Sequence, residues 1–187
     1  MSPLSQAVLD FVDLFESRAI QYAIMGGLAA RAHGMPRATF DVDFTISVER
    51  DDLPSLFDAA EDLGYTIPAA YRAGWVDQVS GMPLVKLGVA IADRSVDVDV
   101  FLAESPYLRE VIKRRCREVI DTGHVWLVSP EDLIVLKVLS GRPRDRIDVQ
   151  DVLFMQGELD RRYMRHWAEQ LGVLPRLESA LQEFDNG

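Results

Sequence analysis

Cysteine is almost missing from this chain: Cys116 stands alone among 187 residues. A single thiol excludes an internal disulfide framework and a cysteine-rich zinc site, and it suits ordinary packing in a reducing compartment. Histidine is nearly as scarce. His33 ends a short helix-prone stretch where it can cap or pack, and His124 and His166 stand isolated, without ligand partners at metal spacing. Long apolar runs are missing too, since none approaches the roughly 20 residues a membrane-spanning helix needs. The opening MSPLSQAVLDFVDLFESR lacks a basic start and carries acids within its apolar pattern, unlike a secretory signal. Repeats, low-complexity tracts and clear linkers are absent as well. The expected location is the cytoplasm, with no membrane partner.

Positive charge is in short supply. Twenty Lys and Arg face 30 Asp and Glu, a net charge of −10, so the surface as a whole repels nucleic acid. The basic residues are clustered, in REVIKRRCRE (109–118), RPRDR (142–146) and RRYMRH (161–166). Such islands fit a protein that meets phosphates in one place. An acidic rim equally fits cationic small molecules, and charge alone does not choose. Apolar residues at 48% and charged residues at 27% are the mix of a folded globular chain rather than a disordered one.

The patterning changes along the chain. Residues 5–18 repeat apolar positions at helical spacing, through Val8, Leu9, Val12 and Phe15. A β-prone run, QYAIMGG (21–27), ends in two glycines; LAARAHG (28–34) then reads as a helix stopped by Gly34 and Pro36. FDVDFTI (40–46) alternates over a strand length, and an amphipathic helix follows at 51–63. Strands are predicted at 75–80, 84–91 and 95–103, a helix at 107–116 and a short strand at 124–128. From Ser129 only helices are predicted, beginning with Ser129 as N-cap, Pro130 at the first position and Asp132 as a capping-box acid. The expected architecture is α/β (α+β), a catalytic lobe over 1–128 with a helical segment over 129–187 packed on it.

Three features stand in order: Gly26-Gly27 closing a strand, Asp41-x-Asp43 on the next, and Asp97-x-Asp99 on a later one. Residues two apart on a strand share a face, so Asp41 and Asp43 project together. Neighbouring carboxylates raise one another's pKa unless a cation lies between them, and Mg²⁺ takes carboxylate and phosphate oxygens. A third carboxylate on an adjacent strand lets two ions be held. Asp97 and Asp99 share a face, and spacing does not decide between them. A Gly-Gly turn opening a helix presents backbone N–H groups and a helix dipole to phosphate. Arg37 can add a bidentate phosphate contact.

The stretch YAIMGGLAARAHGMPRATFDVDFTI (22–46) resembles the nucleotidyltransferase superfamily with the DNA polymerase β-type fold. Its form GG-x-A…HG…R-x-T-x-D-x-D is similar to a small bacterial branch that includes abortive-infection-type nucleotidyltransferase toxins and minimal lincosamide- and aminoglycoside-modifying enzymes. Val98-Asp99-Val100-Phe101 matches the branch's third-acid pattern, and SPEDLIVLKVLSGRPRDRIDVQDV (129–152) resembles its later helical run. The resemblance covers most of 22–152 and implies a mixed sheet flanked by helices. It implies Asp41, Asp43 and Asp99 as metal ligands, with Asp99 able to activate an acceptor hydroxyl. Gly26 and Gly27 would hold the triphosphate, Lys137 would contact phosphate or support the site, and Asp148 matches an acid that some relatives place nearby. Two Mg²⁺ ions and an NTP co-substrate follow, with transfer of a nucleoside monophosphate and release of pyrophosphate. Many superfamily members have Gly-Ser where this chain has Gly-Gly, so phosphate contacts must come mostly from backbone.

Plainer readings stand beside these. Lys137 can run past its apolar neighbours to water. Asp145, Asp148 and Asp151 are expected to pair with Arg144 and Arg146 on a helix surface. Trp75 packs or lines an acceptor or base pocket. The acceptor is open between a nucleic acid such as a tRNA end, a small molecule such as an antibiotic, and a protein side chain, including a partner antitoxin. A rival is a catalytically silent module of the same fold that binds a nucleotide or protein partner.

Overall fold

The computed structural model describes residues 1–72, 75–76, 81–91 and 94–187, the side chains of 75, 76, 91 and 94 excepted. The chain runs through α1 (Pro3–Ser17), β1 (Gln21–Met25), α2 (Gly26–His33) and β2 (Asp41–Ser47). A 3₁₀ turn (Arg50–Asp52) leads into α3 (Leu53–Asp62), followed by α4 (Ala69–Arg72), β3 (Trp75–Val76), β4 (Pro83–Ile91) and β5 (Arg94–Leu102). Then come α5 (Pro106–Arg114), β6 (Cys116–Ile120), β7 (Gly123–Leu127) and α6 (Pro130–Ser140), and finally α7 (Pro143–Met155), α8 (Arg161–Gln170) and α9 (Leu174–Asn186). No helix among the described residues is long and apolar enough to cross a membrane.

Local sequence sets several of these boundaries. Ser2-Pro3, Ser105-Pro106 and Ser129-Pro130 each start a helix, the serine hydroxyl accepting from the amide of Ser5, Leu108 and Asp132 respectively. Each cap satisfies an N–H the helix cannot pair and is worth about 1 kcal/mol. α6 ends at Gly141, which takes the left-handed conformation (φ 63°) and donates to the Lys137 carbonyl.

Among the described residues, seven strands form one mixed sheet in the order β3-β4-β5-β2-β1-β7-β6. β2 runs antiparallel to β1 and parallel to β5, and β5 pairs antiparallel with β4. Strand alternation gives the sheet two unlike faces. Val42, Phe44, Ile46, Val98, Val100 and Leu102 point to one side and pack with α1 and α3. On the other, Ala23, Met25, Leu84 and Phe101 are covered by α2, α5 and the helices from α6 onward. The acids of β2 and β5 share this second face.

Several expectations need correction. The helix predicted through residue 116 stops at Arg114, and residues 116–120 pair antiparallel with β7 as a hairpin. Gly123 in the turn takes φ 118°, a conformation that suits glycine. α2 begins at Gly26, two residues before its predicted start, and α4 was not predicted. Of the strand expected at 75–80, residues 77–80 lie outside the described residues.

The largest correction concerns α7. Asp145 and Asp148 do not sit on a solvated helix surface; both are buried. Asp148 accepts Nε and Nη2 of Arg37 at 2.6 and 2.8 Å, and its Oδ2 lies 2.8 Å from Lys137 Nζ. Lys137 also donates to Asp145 at 2.9 Å. Four charges therefore join α6, α7 and the α2–β2 loop, and Lys137 reaches carboxylates rather than water. Burial pushes the Asp148 carboxyl up, but hydrogen bonds and charge from Arg37 and Lys137 outweigh it and leave it below the usual carboxylate range. A carboxyl depressed by folding stabilises above its unfolded pKa of about 3.9, and that share is lost as pH falls through the lower folded value. Asp148→Asn should cost about 3 kcal/mol at pH 7, or roughly 10 °C in unfolding midpoint, because it leaves two half-buried cations short of a carboxylate. Thermal melts from pH 7 to 3 should show wild type converging on the variant at the acid end. Parallel curves would mean that Asp148 carries no such linkage.

Candidate active site

The acids meet through register. Asp41 lies opposite Asp97 and Asp43 opposite Asp99 across the parallel β2–β5 pair. Opposed residues project to the same side, so four carboxylates share one patch of the sheet. They line a cleft of about 480 Å³ between the sheet and α6, within the range of small-molecule sites. Gly26, Gly27, Arg37 and Lys137 line it too, whereas Asp148 is not in the lining and meets the cleft only through Arg37 and Lys137.

The Gly-Gly turn is fitted to the acids. Gly26 has φ 62°, and a Cβ there would lie 1.8 Å from Asp43 Oδ2. A Cβ on Gly27 would lie 2.3 Å from Thr39 Oγ1. Thr39 in turn donates to Asp41 Oδ1 at 2.7 Å. No side chain fits at either glycine without moving the group that faces it.

Burial first, then the neighbouring charges of Asp41 and Asp99, push the Asp43 carboxyl up to about 7; Lys137 and the Gly27 amide oppose the shift. Burial likewise raises Asp99, against the hydrogen bond and charge of Lys86. Lys86 Nζ lies 2.8 Å from Asp99 Oδ2, whereas Asp99 Oδ1 is buried without a hydrogen-bond partner. Among the described residues no three acidic, histidine or cysteine side chains converge on a metal position as they stand. Asp41 is turned to Thr39 and Asp99 to Lys86. The donor set nonetheless suits a hard divalent cation: carboxylate oxygens only, one of them unpartnered, with repulsion that a cation would relieve.

Arg37, expected to reach phosphate, has its guanidinium committed to Asp148. Lys86 was not singled out from the sequence; Thr39 stood only within the R-x-T-x-D-x-D pattern, and Arg142 and Arg144 only within a basic island, yet all four line the cleft. The alternation Leu84-x-Lys86 did place Lys86 on one strand face, but its pairing with Asp99 depends on strand order. Arg144 donates Nη2 to the Ala38 carbonyl at 2.8 Å and so also braces the loop before β2. The Trp75 side chain, expected in packing or in a pocket, lies outside the described residues.

Known proteins of the same shape were found among solved structures. The chain is similar to an antigenic nucleotidyltransferase-like protein from Paracoccidioides brasiliensis, at 23% identity and TM-score 0.55 over 97% of this chain and 93% of that one. It is similar to ANT(2″)-Ia in complex with adenylyl-2″-tobramycin, at 19% identity and TM-score 0.59 over 98% and 99%. It is also similar to the lincomycin-bound lincosamide antibiotic adenylyltransferase LnuA, at 13% identity and TM-score 0.52 over 81% and 97%. At these identities the likeness shows the fold, a mixed sheet with flanking helices and a C-terminal helical segment. A search of curated proteins returned no match. The model of the family described as "Nucleotidyltransferase of unknown function (DUF6036)" matches residues 6–179, and the chain belongs to that family.

Proposed function

We propose that the chain moves a nucleoside monophosphate from an NTP to an acceptor hydroxyl, with pyrophosphate leaving. The observation that carries this reading is the register of Asp41 and Asp43 against Asp97 and Asp99, beside a glycine turn with no room for a side chain. Asp41, Asp43 and Asp99 are the proposed metal ligands. Bound Mg²⁺, two ions in this reading, would neutralise triphosphate oxygens and lower the pKa of the acceptor hydroxyl.

The chain's own groups divide the remaining work. Backbone amides of Gly26 and Gly27 hold phosphate at the start of α2, where the dipole favours negative charge, the Gly27 amide exchanging its bond to Asp43 for one to phosphate. Arg142 and Arg144 bring guanidinium groups to the same cleft and suit the outer phosphates. Lys137 acts as a positioning residue, since its charge favours ionised Asp43 while its ammonium is held by Asp145 and Asp148. Arg37 fixes the loop before β2 through Asp148. In this reading Asp99 also takes the acceptor proton. Rate enhancement then comes from positioning and charge stabilisation.

Two of the similar structures are antibiotic adenylyltransferases, one holding an adenylylated aminoglycoside and the other lincomycin. They favour ATP as donor and a small-molecule hydroxyl as acceptor. An RNA end, with a toxin role and a partner antitoxin, is the second reading, favoured by the arginines at the cleft. Incubation with labelled NTPs, Mg²⁺ and either total RNA or a panel of aminoglycosides and lincosamides separates the two by which species gains label. Label on neither, with NTP and Mg²⁺ still bound, would point to the silent module.

Asp41→Asn and Asp43→Asn should each lower pyrophosphate release by roughly a thousandfold or more. Full activity in both would remove the assignment. Gly26→Ala should approach the same loss, because its Cβ displaces the Asp43 carboxylate. The strained backbone costs only about 1–2 kcal/mol in addition, so the variant should still unfold cooperatively in a thermal melt. An active Gly26→Ala variant would show that Asp43 does not need its present position.

A further inference from the structure

Lys86 lies directly across from Asp99 on β4, and their charged groups are 2.8 Å apart. The pair is unevenly buried, with the Lys86 side chain 40% exposed and that of Asp99 17%. A second carboxylate stands two residues along β5. Asp97 is exposed, lies opposite Gly88, and acts electrostatically on the Lys86 ammonium together with Tyr71. Gly88 has no side chain to fill the space between Lys86 and Asp97; even a Cβ there would sit 3.7 Å from Asp97 Oδ1. Residues two apart on a strand are separated by about 7 Å. A lysine stem is flexible and carries three rotatable donors, so one ammonium can serve either acid.

We propose that Lys86 is a positioning residue that occupies Asp99 until a divalent cation takes that carboxylate, whereupon its ammonium moves to Asp97. This rests on the reading of Asp99 as a metal ligand, and it gives the Asp97-x-Asp99 pair two distinct tasks. Asp99, deeper and with an unpartnered oxygen, is the ligand. Asp97, at the rim, receives the displaced cation, so that the ammonium does not remain against the incoming metal. Two unequal cation sites follow. Asp41 and Asp43 take the first ion with no ion-paired ammonium to displace, whereas a second must compete with Lys86 for Asp99.

Titration of the full chain with Mn²⁺, following free Mn²⁺ by electron paramagnetic resonance, reads both sites without turnover. Lys86→Met should tighten the weaker site roughly tenfold, because the competing charge is gone. Lys86→Gln, which keeps a polar end and loses the charge, should do the same and covers the case in which the apolar variant folds poorly. Asp97→Asn should weaken the site roughly threefold in the wild-type background and leave it unchanged in Lys86→Met. Unchanged or weaker Mn²⁺ binding in both Lys86 variants overturns the proposal. An Asp97→Asn loss of equal size with and without Lys86 also overturns it, since Asp97 would then be a direct ligand. So does an Asp97→Asn variant that binds as wild type. Undiminished Mn²⁺ binding in the Asp41→Asn/Asp43→Asn double variant would instead sink the metal-site reading itself, whatever Lys86 does.

Discussion

The Asp43 carboxylate occupies the volume that a side chain at position 26 would need. Much of the site's arrangement depends on that close approach. The antiparallel register sets Met25 opposite Asp43, so the turn into α2 begins beside the acid. Gly26 can turn there because φ 62° costs it little. Gly27 leaves room for Thr39, and Thr39 in turn holds Asp41. The same crowding buries Asp43 between Asp41 and Asp99 and drives its carboxyl up to about 7. A carboxyl raised so far tends to hold a proton against its neighbours' charge, and a cation can take that proton's place. The steric fit and the electrostatic demand thus have one source.

The cluster of Arg37, Lys137, Asp145 and Asp148 works at a second level. Its members come from the loop before β2 and from two helices beyond the sheet. Burying ions is costly, and such a cluster contributes less to net stability than to fixing one geometry. What it fixes is the wall of the cleft. Lys137 belongs to both sides of that wall, paired behind with two carboxylates and acting in front on Asp43. The helices after residue 129 are tied to the acids through this lysine, and they share one apolar core with β1, β4 and β5.

What could be read from the sequence follows from how local each signal is. Asp41-x-Asp43 and Asp97-x-Asp99 were legible because strand alternation has period 2, and the Ser-Pro pair at 129–130 was legible because capping is a matter of four residues. The family of the fold was legible through residues 22–46. Contacts set by register or by distant packing were not. Asp148 reads as a surface acid until Arg37, 111 residues away, is seen bonded to it. Lys86 reads as one polar residue in an apolar strand until β5 lies beside β4. The REVIKRRCREVI stretch hid a helix-to-strand change because its apolar and basic spacing suits either structure. The break falls at Arg115, where the backbone leaves the helical region (φ −53°, ψ 141°).

A protein of net charge −10 that handles a triphosphate in the proposed reaction must reconcile two fields. Exposed charges are screened over roughly 8 Å at physiological ionic strength, whereas groups inside a cleft are screened much less. Lys86, Lys137, Arg142 and Arg144 all line the cleft that holds the acids. Both lysines are already held by carboxylates, so they neutralise acids as much as they attract phosphate. With four carboxylates on the sheet face, the cleft without metal is poorly matched to an anion as highly charged as a triphosphate. A triphosphate arriving with its own divalent cation would remove the mismatch, since the acids suit the cation and the arginines and the start of α2 suit free phosphate oxygens. In the proposed reaction the acidic surface would slow the approach of nucleotide in general. The cleft would then favour the metal-bound form over the free anion.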